Sequence, residues 1–223
     1  MELRAFPHCC HPFRRHAHTF RSDSLFRTLG RDAKAPAGPA GAAPPATTLP
    51  PERLKERLLT ATDLPPGTTV RAGAVSKHSN VSVLGCEPLE RLGEETDPYA
   101  SFPARAKTVI VGPGGRRATQ ELYSAPPADL TEGIHRIMAA MAACPSYQLA
   151  TATSVVQIDT RTVPAPTLGQ EQWAQVVTAR AGDRSTVTEQ VIVLDDVLLL
   201  VVSGPPSHAR QLAEKAWAKA HSY

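Results

Sequence analysis

The stretch Asp195-Asp196-Val197-Leu198-Leu199-Leu200-Val201-Val202-Ser203 decides the fold. Six consecutive apolar residues are too few for a buried helix and lack the alternation of a half-exposed strand. They read as a central strand covered on both faces. The aspartates before them are a turn, because Asp tolerates positive φ. Ser185–Leu194 precedes that turn. Gln172–Arg180 precedes another at Ala181-Gly182-Asp183-Arg184. Tight turns make these three strands an antiparallel meander.

Two helical patterns supply the cover. In Ala128–Cys144, residues Leu130, Ile134, Ile137, Met138 and Met141 fall on one face, and Cys144 continues it. Asp129 and Glu132 read as a capping box opening this helix. In Pro206–Ala220, residues Ala209, Leu212, Ala213, Ala216 and Trp217 form one stripe.

Upstream, Val155–Val163 alternates as a strand. Lys107–Val111 and Arg117–Tyr123 are two strands around the turn Gly112-Pro113-Gly114-Gly115. Glu87–Gly93 is a short helix, Thr68–Val75 a weak strand, and Pro51–Leu59 a helix with Pro at its start. The class is α+β, an antiparallel β-sheet flanked by helices. Residues 50–223 form one domain. Residues 1–49 are a disordered lead, basic at first and then Ala/Pro-rich, which cannot bury enough apolar surface to order itself.

Composition narrows the function. The net charge of +3 arises largely before Pro36, so the domain carries no basic patch and nucleic acid is not expected as a partner. No run reaches the roughly 20 apolar residues of a membrane span. Val191–Val202 comes nearest and is broken by Asp195-Asp196. No apolar run follows the N-terminal basic residues, so membrane attachment would need an anchor or signal missing from this chain, and the start site is suspect. Scarce Asn, with Arg far in excess of Lys, suggests a high-GC bacterial gene.

Chemistry-bearing motifs are sparse. His8-Cys9-Cys10-His11, with His16 and His18, has one metal-like spacing, but adjacent cysteines suit a tetrahedral ion poorly, and no metal site is assigned. The 112–115 glycines match no phosphate loop. Ser203-Gly204 lacks the glycine of a nucleophile elbow and is followed by Pro205-Pro206. His135 and Arg136 lie on the polar side of their helix, with no carboxylate that the sequence can place beside them. Asn80-Val81-Ser82 is a chance glycosylation sequon in a bacterial chain. No catalytic residue and no cofactor is assigned. Cys86 and Cys144 are the only cysteines in the domain. They are either a bridge, which would indicate an oxidising compartment, or two ordinary buried thiols.

Leu64-Pro65-Pro66-Gly67, Cys86, the long helix ending in Cys144, Gln120–Asp129 and the Asp196–Ser203 ending together resemble a known family. They are similar to the extracellular sensor domains of actinobacterial receptor serine/threonine kinases of the PknH type and to related secreted lipoproteins. The resemblance implies an antiparallel sheet flanked by helices and a cleft for an unidentified ligand. It also favours the Cys86–Cys144 disulfide. The kinase-attached members carry two bridges, whereas this domain can form at most one. No kinase motif is present. The expected function is a non-enzymatic, extracytoplasmic, sensor-like domain of the cell envelope that binds a small molecule or envelope component. The alternatives are a small hydrolase or transferase whose site forms only in three dimensions, an envelope protein-interaction domain, and a cytoplasmic location.

Overall fold

A computed structural model describes residues 47–73, 81–94, 99 and 102–222. The His/Cys cluster before residue 20, the Asn80 sequon and most of the lead lie outside the described residues. The helices are α1 (Pro51–Glu56), α2 (Glu87–Glu94), α3 (Pro127–Ala143) and α4 (His208–Ala220). The strands are β1 (Thr69–Ala72), β2 (Ser82–Leu84), β3 (Ala104–Val111), β4 (Arg117–Ser124) and β5 (Ser146–Ala150), then β6 (Val155–Val163), β7 (Glu171–Ala181), β8 (Arg184–Asp195) and β9 (Leu198–Gly204). They form one nine-stranded sheet in the order β1-β3-β4-β9-β8-β7-β6-β5-β2, and every neighbouring pair is antiparallel. The α+β architecture read from the sequence is therefore present.

The apolar run of β9 sits near the middle of the sheet, between β4 and β8. Its side chains alternate between two cores, because successive strand residues point to opposite faces. Leu198, Leu200 and Val202 pack with Leu54 of α1 and with Leu212, Ala213 and Ala216 of α4. Leu199 and Val201 pack on the other face with Leu130, Ile134 and Ile137 of α3. Leu199, Leu200 and Val202 have no exposed surface. At roughly 25 cal/mol per Å² of buried apolar area, such side chains contribute about 2 kcal/mol each.

Two local readings are corrected. Asp195 pairs with Leu198, so the two-residue turn is Asp196-Val197, one residue later than expected. Asp196 takes the positive φ, 50°. Helix α3 opens at Pro127 with Pro126 at the N-cap position, so Asp129 caps nothing. Proline needs no N–H partner in a first turn, and its fixed φ suits entry. Asp129 instead places its charge in the first turn, where the helix dipole favours it. Leu49, at the end of the assigned lead, packs on the α1–α4 core, and its N–H donates to Ser124 Oγ at 2.9 Å. Strands β2 and β5, of three and five residues, extend the sheet beyond the sequence reading.

Candidate functional site

Helices α2 and α3 share a face of the sheet, and a groove of about 470 Å³ runs between them. Its α3 wall is Arg136, Ala139, Ala140 and Ala143, at spacings of three, four and seven residues along one stripe. Its α2 wall is Pro88, Arg91 and Leu92. The three alanines have short side chains, which leaves open space over an apolar floor. Leu92 and Ala140 are buried beneath it. The guanidiniums of Arg91 and Arg136 stand at the rim, and Arg91 also pairs with Glu87 one turn away.

The two helices that wall the groove are tied together by the two cysteines, which do not themselves line it. Cys86 precedes α2 and Cys144 ends α3. Their Cα atoms are 5.9 Å apart across 58 residues of chain, with the sulfurs facing each other. That separation is within the range a disulfide spans. Glycine at 85 is required there by its φ of 83°. Cys86 caps α2: its C=O accepts from Glu90 N–H at 2.9 Å, and its N–H donates to Glu90 Oε1 at 3.1 Å. The cap and the facing sulfurs fix where α2 begins relative to the end of α3. Both cysteines are buried.

His135 and Arg136 lie on the solvent side of α3, as the pattern indicates. The structure finds His135 the carboxylate that the sequence could not place. Its Nε2 is 2.7 Å from Glu171 Oε2 on β7, and its ring meets Trp173 edge to face at 5.9 Å between centroids. Imidazole and carboxylate are about half and two-fifths exposed, so water screens the pair. No hydroxyl or thiol nucleophile shares that contact. Ser203, on β9, is half-buried and accepts a long 3.4 Å contact from Gln190 Nε2. Among the described residues, no group of three or more His, Cys, Asp or Glu side chains is placed to hold a metal ion. No described helix is long and apolar enough to cross a membrane.

On the opposite face a second cavity, of about 170 Å³, lies where the N-terminal half of α4 meets the β3–β4 turn and the 64–68 segment. His208 in its wall has a buried Nε2 with no hydrogen-bond partner among the described residues. Burial, reinforced by the charge of Arg116, pushes the His208 pKa down from its ordinary value.

Sequence reasoning singled out Cys86, Cys144, His135 and Arg136 from this region. It missed the alanine stripe and its α2 partners. The signal was present in Ala139, Ala140 and Ala143, small residues at helical spacing outside the apolar face that meets the sheet.

No protein-family model matches the chain, and no curated protein matches it. Among solved structures it is similar to the extracellular domain of PknH from Mycobacterium tuberculosis, with a TM-score of 0.62 at 12% identity, over 79% of this chain and 99% of that one. An uncharacterised protein from Mycobacterium smegmatis is a looser match, with a TM-score of 0.42 at 13% identity, over 71% of this chain and 92% of that one. At these identities the likeness is one of fold: this chain has the architecture of the PknH extracellular domain.

Proposed function

We propose that this chain is a non-enzymatic, extracytoplasmic ligand-binding domain of a bacterial cell-envelope protein, sensor-like in fold, with the α2–α3 groove as its binding site and the Cys86–Cys144 disulfide tying its two helices together. The observation that carries this reading is the facing pair of buried cysteines joining the start of α2 to the end of α3, the two helices whose side chains line the largest apolar groove described. Ligand sites are typically concave, mostly apolar and equipped with few polar groups. The groove fits that description, with its polar groups limited to two arginines at the rim. The occupant is a small molecule or envelope component with an apolar body. The shared architecture with a mycobacterial extracellular domain supports the location. The folded unit is the chain from about residue 50, with Leu49 as the first packed side chain among the described residues.

The test is a thiol count on denatured protein purified from its host without reductant. Protection of both cysteines until reduction supports the reading. Two free thiols would remove the argument for export and leave only the fold in common with the extracellular domain. A companion variant, Ala140→Trp, fills the groove and should abolish capture of apolar envelope lipids from a total lipid extract; undiminished capture would place the site elsewhere.

A further inference from the structure

The second cavity, on the face of the sheet opposite the α2–α3 groove, has the components of an anion site. Leu64, Ile110 and Leu212 give it an apolar floor, while Arg116 and Lys215 stand at its margin. No aspartate or glutamate lines it, and neither cation has an ion-pair partner among the described residues. Two positive charges therefore converge on a recess whose walls exclude water from one side. In such a recess the field of a guanidinium and an ammonium is less screened than on open surface.

We propose that this cavity binds a small organic acid, with its apolar body on the Leu64–Ile110–Leu212 floor and its carboxylate between Arg116 and Lys215. The volume of about 170 Å³ is close to that of apolar cavities, roughly 150 Å³, that accept a benzene ring. Arg116 offers a planar fork suited to two parallel hydrogen bonds to a carboxylate, and Lys215 adds a mobile point charge. A neutral ligand of the same shape would leave both cations without a counter-charge, so the site discriminates by charge as well as by size.

His208 gives the proposal an independent readout. Its buried Nε2 has no hydrogen-bond partner among the described residues, and leaving a buried polar atom unpaired costs free energy. A carboxylate seated beside Arg116 supplies the missing acceptor after a small rotation of the ring. The titratable groups facing His208 in this cavity are Arg116, from the β3–β4 turn, and Lys215, from α4; the 64–68 segment contributes none. Burial and the charge of Arg116 together disfavour imidazolium, and an anion seated against Arg116 cancels the second of these. Ligand binding must therefore raise the His208 titration midpoint, and lowering the pH toward that midpoint must strengthen binding.

The experiment uses the full chain with benzoate, isovalerate and hexanoate as probes and benzyl alcohol as the uncharged control, read by calorimetry and by NMR titration of the histidines. The expected result is saturable binding of at least one acid, a weaker or absent response to the alcohol, and an upward move of the His208 midpoint only with the acid. The double variant Arg116→Gln and Lys215→Gln removes surface charge without touching the core, and circular dichroism checks that it folds. It should weaken binding at least tenfold, about 1.4 kcal/mol. The proposal fails if none of the three acids binds below about 10 mM, a limit of roughly −2.7 kcal/mol. It also fails if the double variant binds as well as the parent, or if the His208 midpoint stays fixed while acid binds. The Ala140→Trp variant of the other groove should leave all three readings unchanged, so the two sites stand or fall separately.

Discussion

Glu189 on β8 holds Arg210 on α4 by a 2.6 Å contact between its Oε1 and the guanidinium Nε, while its Oε2 accepts the Ser207 backbone N–H at 3.1 Å. The carboxylate is almost wholly buried, and the guanidinium is about one-third exposed. Ser207 turns the chain into α4 with a φ of 63°. One side chain thus anchors both the entry to α4 and its first turn onto the sheet.

Glu189→Ala should destabilise the fold by about 2–3 kcal/mol. Breaking a fully buried pair costs roughly 3–5 kcal/mol, and the partial exposure of Arg210 reduces that. Urea denaturation measures it. A change below about 0.5 kcal/mol would mean that α4 is held by its apolar stripe alone.

Gly133→Ala should destabilise α3 although alanine is the better helix former. A Cβ at residue 133 would lie 2.8 Å from both Cε1 and Cζ of Phe102, a ring that is 2% exposed. Tyr123, stacked on Tyr99 and edge-on to Phe102, blocks the ring's retreat. Overpacking of about 1–3 kcal/mol should exceed the propensity gain of about 1 kcal/mol. An increase in the thermal midpoint of the variant would contradict this.

Cys86→Ser combined with Cys144→Ser should lower stability by about 2–4 kcal/mol, since closing a loop of this length restricts the unfolded chain by roughly 4 kcal/mol in the chain-entropy model. Reductant should shift the parent's denaturation curve toward that of the double variant and leave the variant's curve in place. Identical parent curves with and without reductant would mean that the two sulfurs are not bonded.

Acid should loosen the corner where α4 meets the turn at residues 61–63. Burial pushes the Asp63 carboxyl up. Lys219 Nζ at 2.5 Å, the Thr60 N–H and the Thr60 hydroxyl more than offset it and hold the pKa at about 2. A depressed carboxyl contributes stability that is fully present above its unfolded value near 4 and is lost as pH falls through about 2. With partial solvent screening the contribution is about 1 kcal/mol. Denaturation of Asp63→Asn across pH 2–6 checks it: the difference from the parent should shrink below pH 4. A constant difference would assign the effect to hydrogen bonding rather than charge.

The central strand and its two helical covers were legible because β9 is apolar at every position and α3 and α4 each carry one stripe. The legible features are those encoded within a dozen consecutive residues. The turn at Asp196 slipped by one because two aspartates compete for a single positive-φ position. The α3 cap misled because prolines at 126 and 127 open a helix as well as an aspartate does. Strands β2 and β5 are too short to show a period. The groove was hidden for a different reason: its α3 wall is alanine, which advertises no chemistry, and its α2 wall lies some 50 residues earlier in the chain. Glu171 was likewise invisible to His135, 36 residues away.

The strand order has a consequence for assembly between molecules. Strands β1 and β2 follow one another in the chain yet border opposite margins of the sheet. They are four and three residues long, against eight for β3, the inner neighbour of β1. Short margins offer little template to a neighbouring chain. One early stretch of polypeptide thus serves as the stopper at both ends. A chain cut just after residue 84 would keep β3 through β9 but bare the full length of β3 on one side and β5 on the other. It would offer neighbouring molecules an eight-residue edge at β3 in place of the four-residue edge of β1.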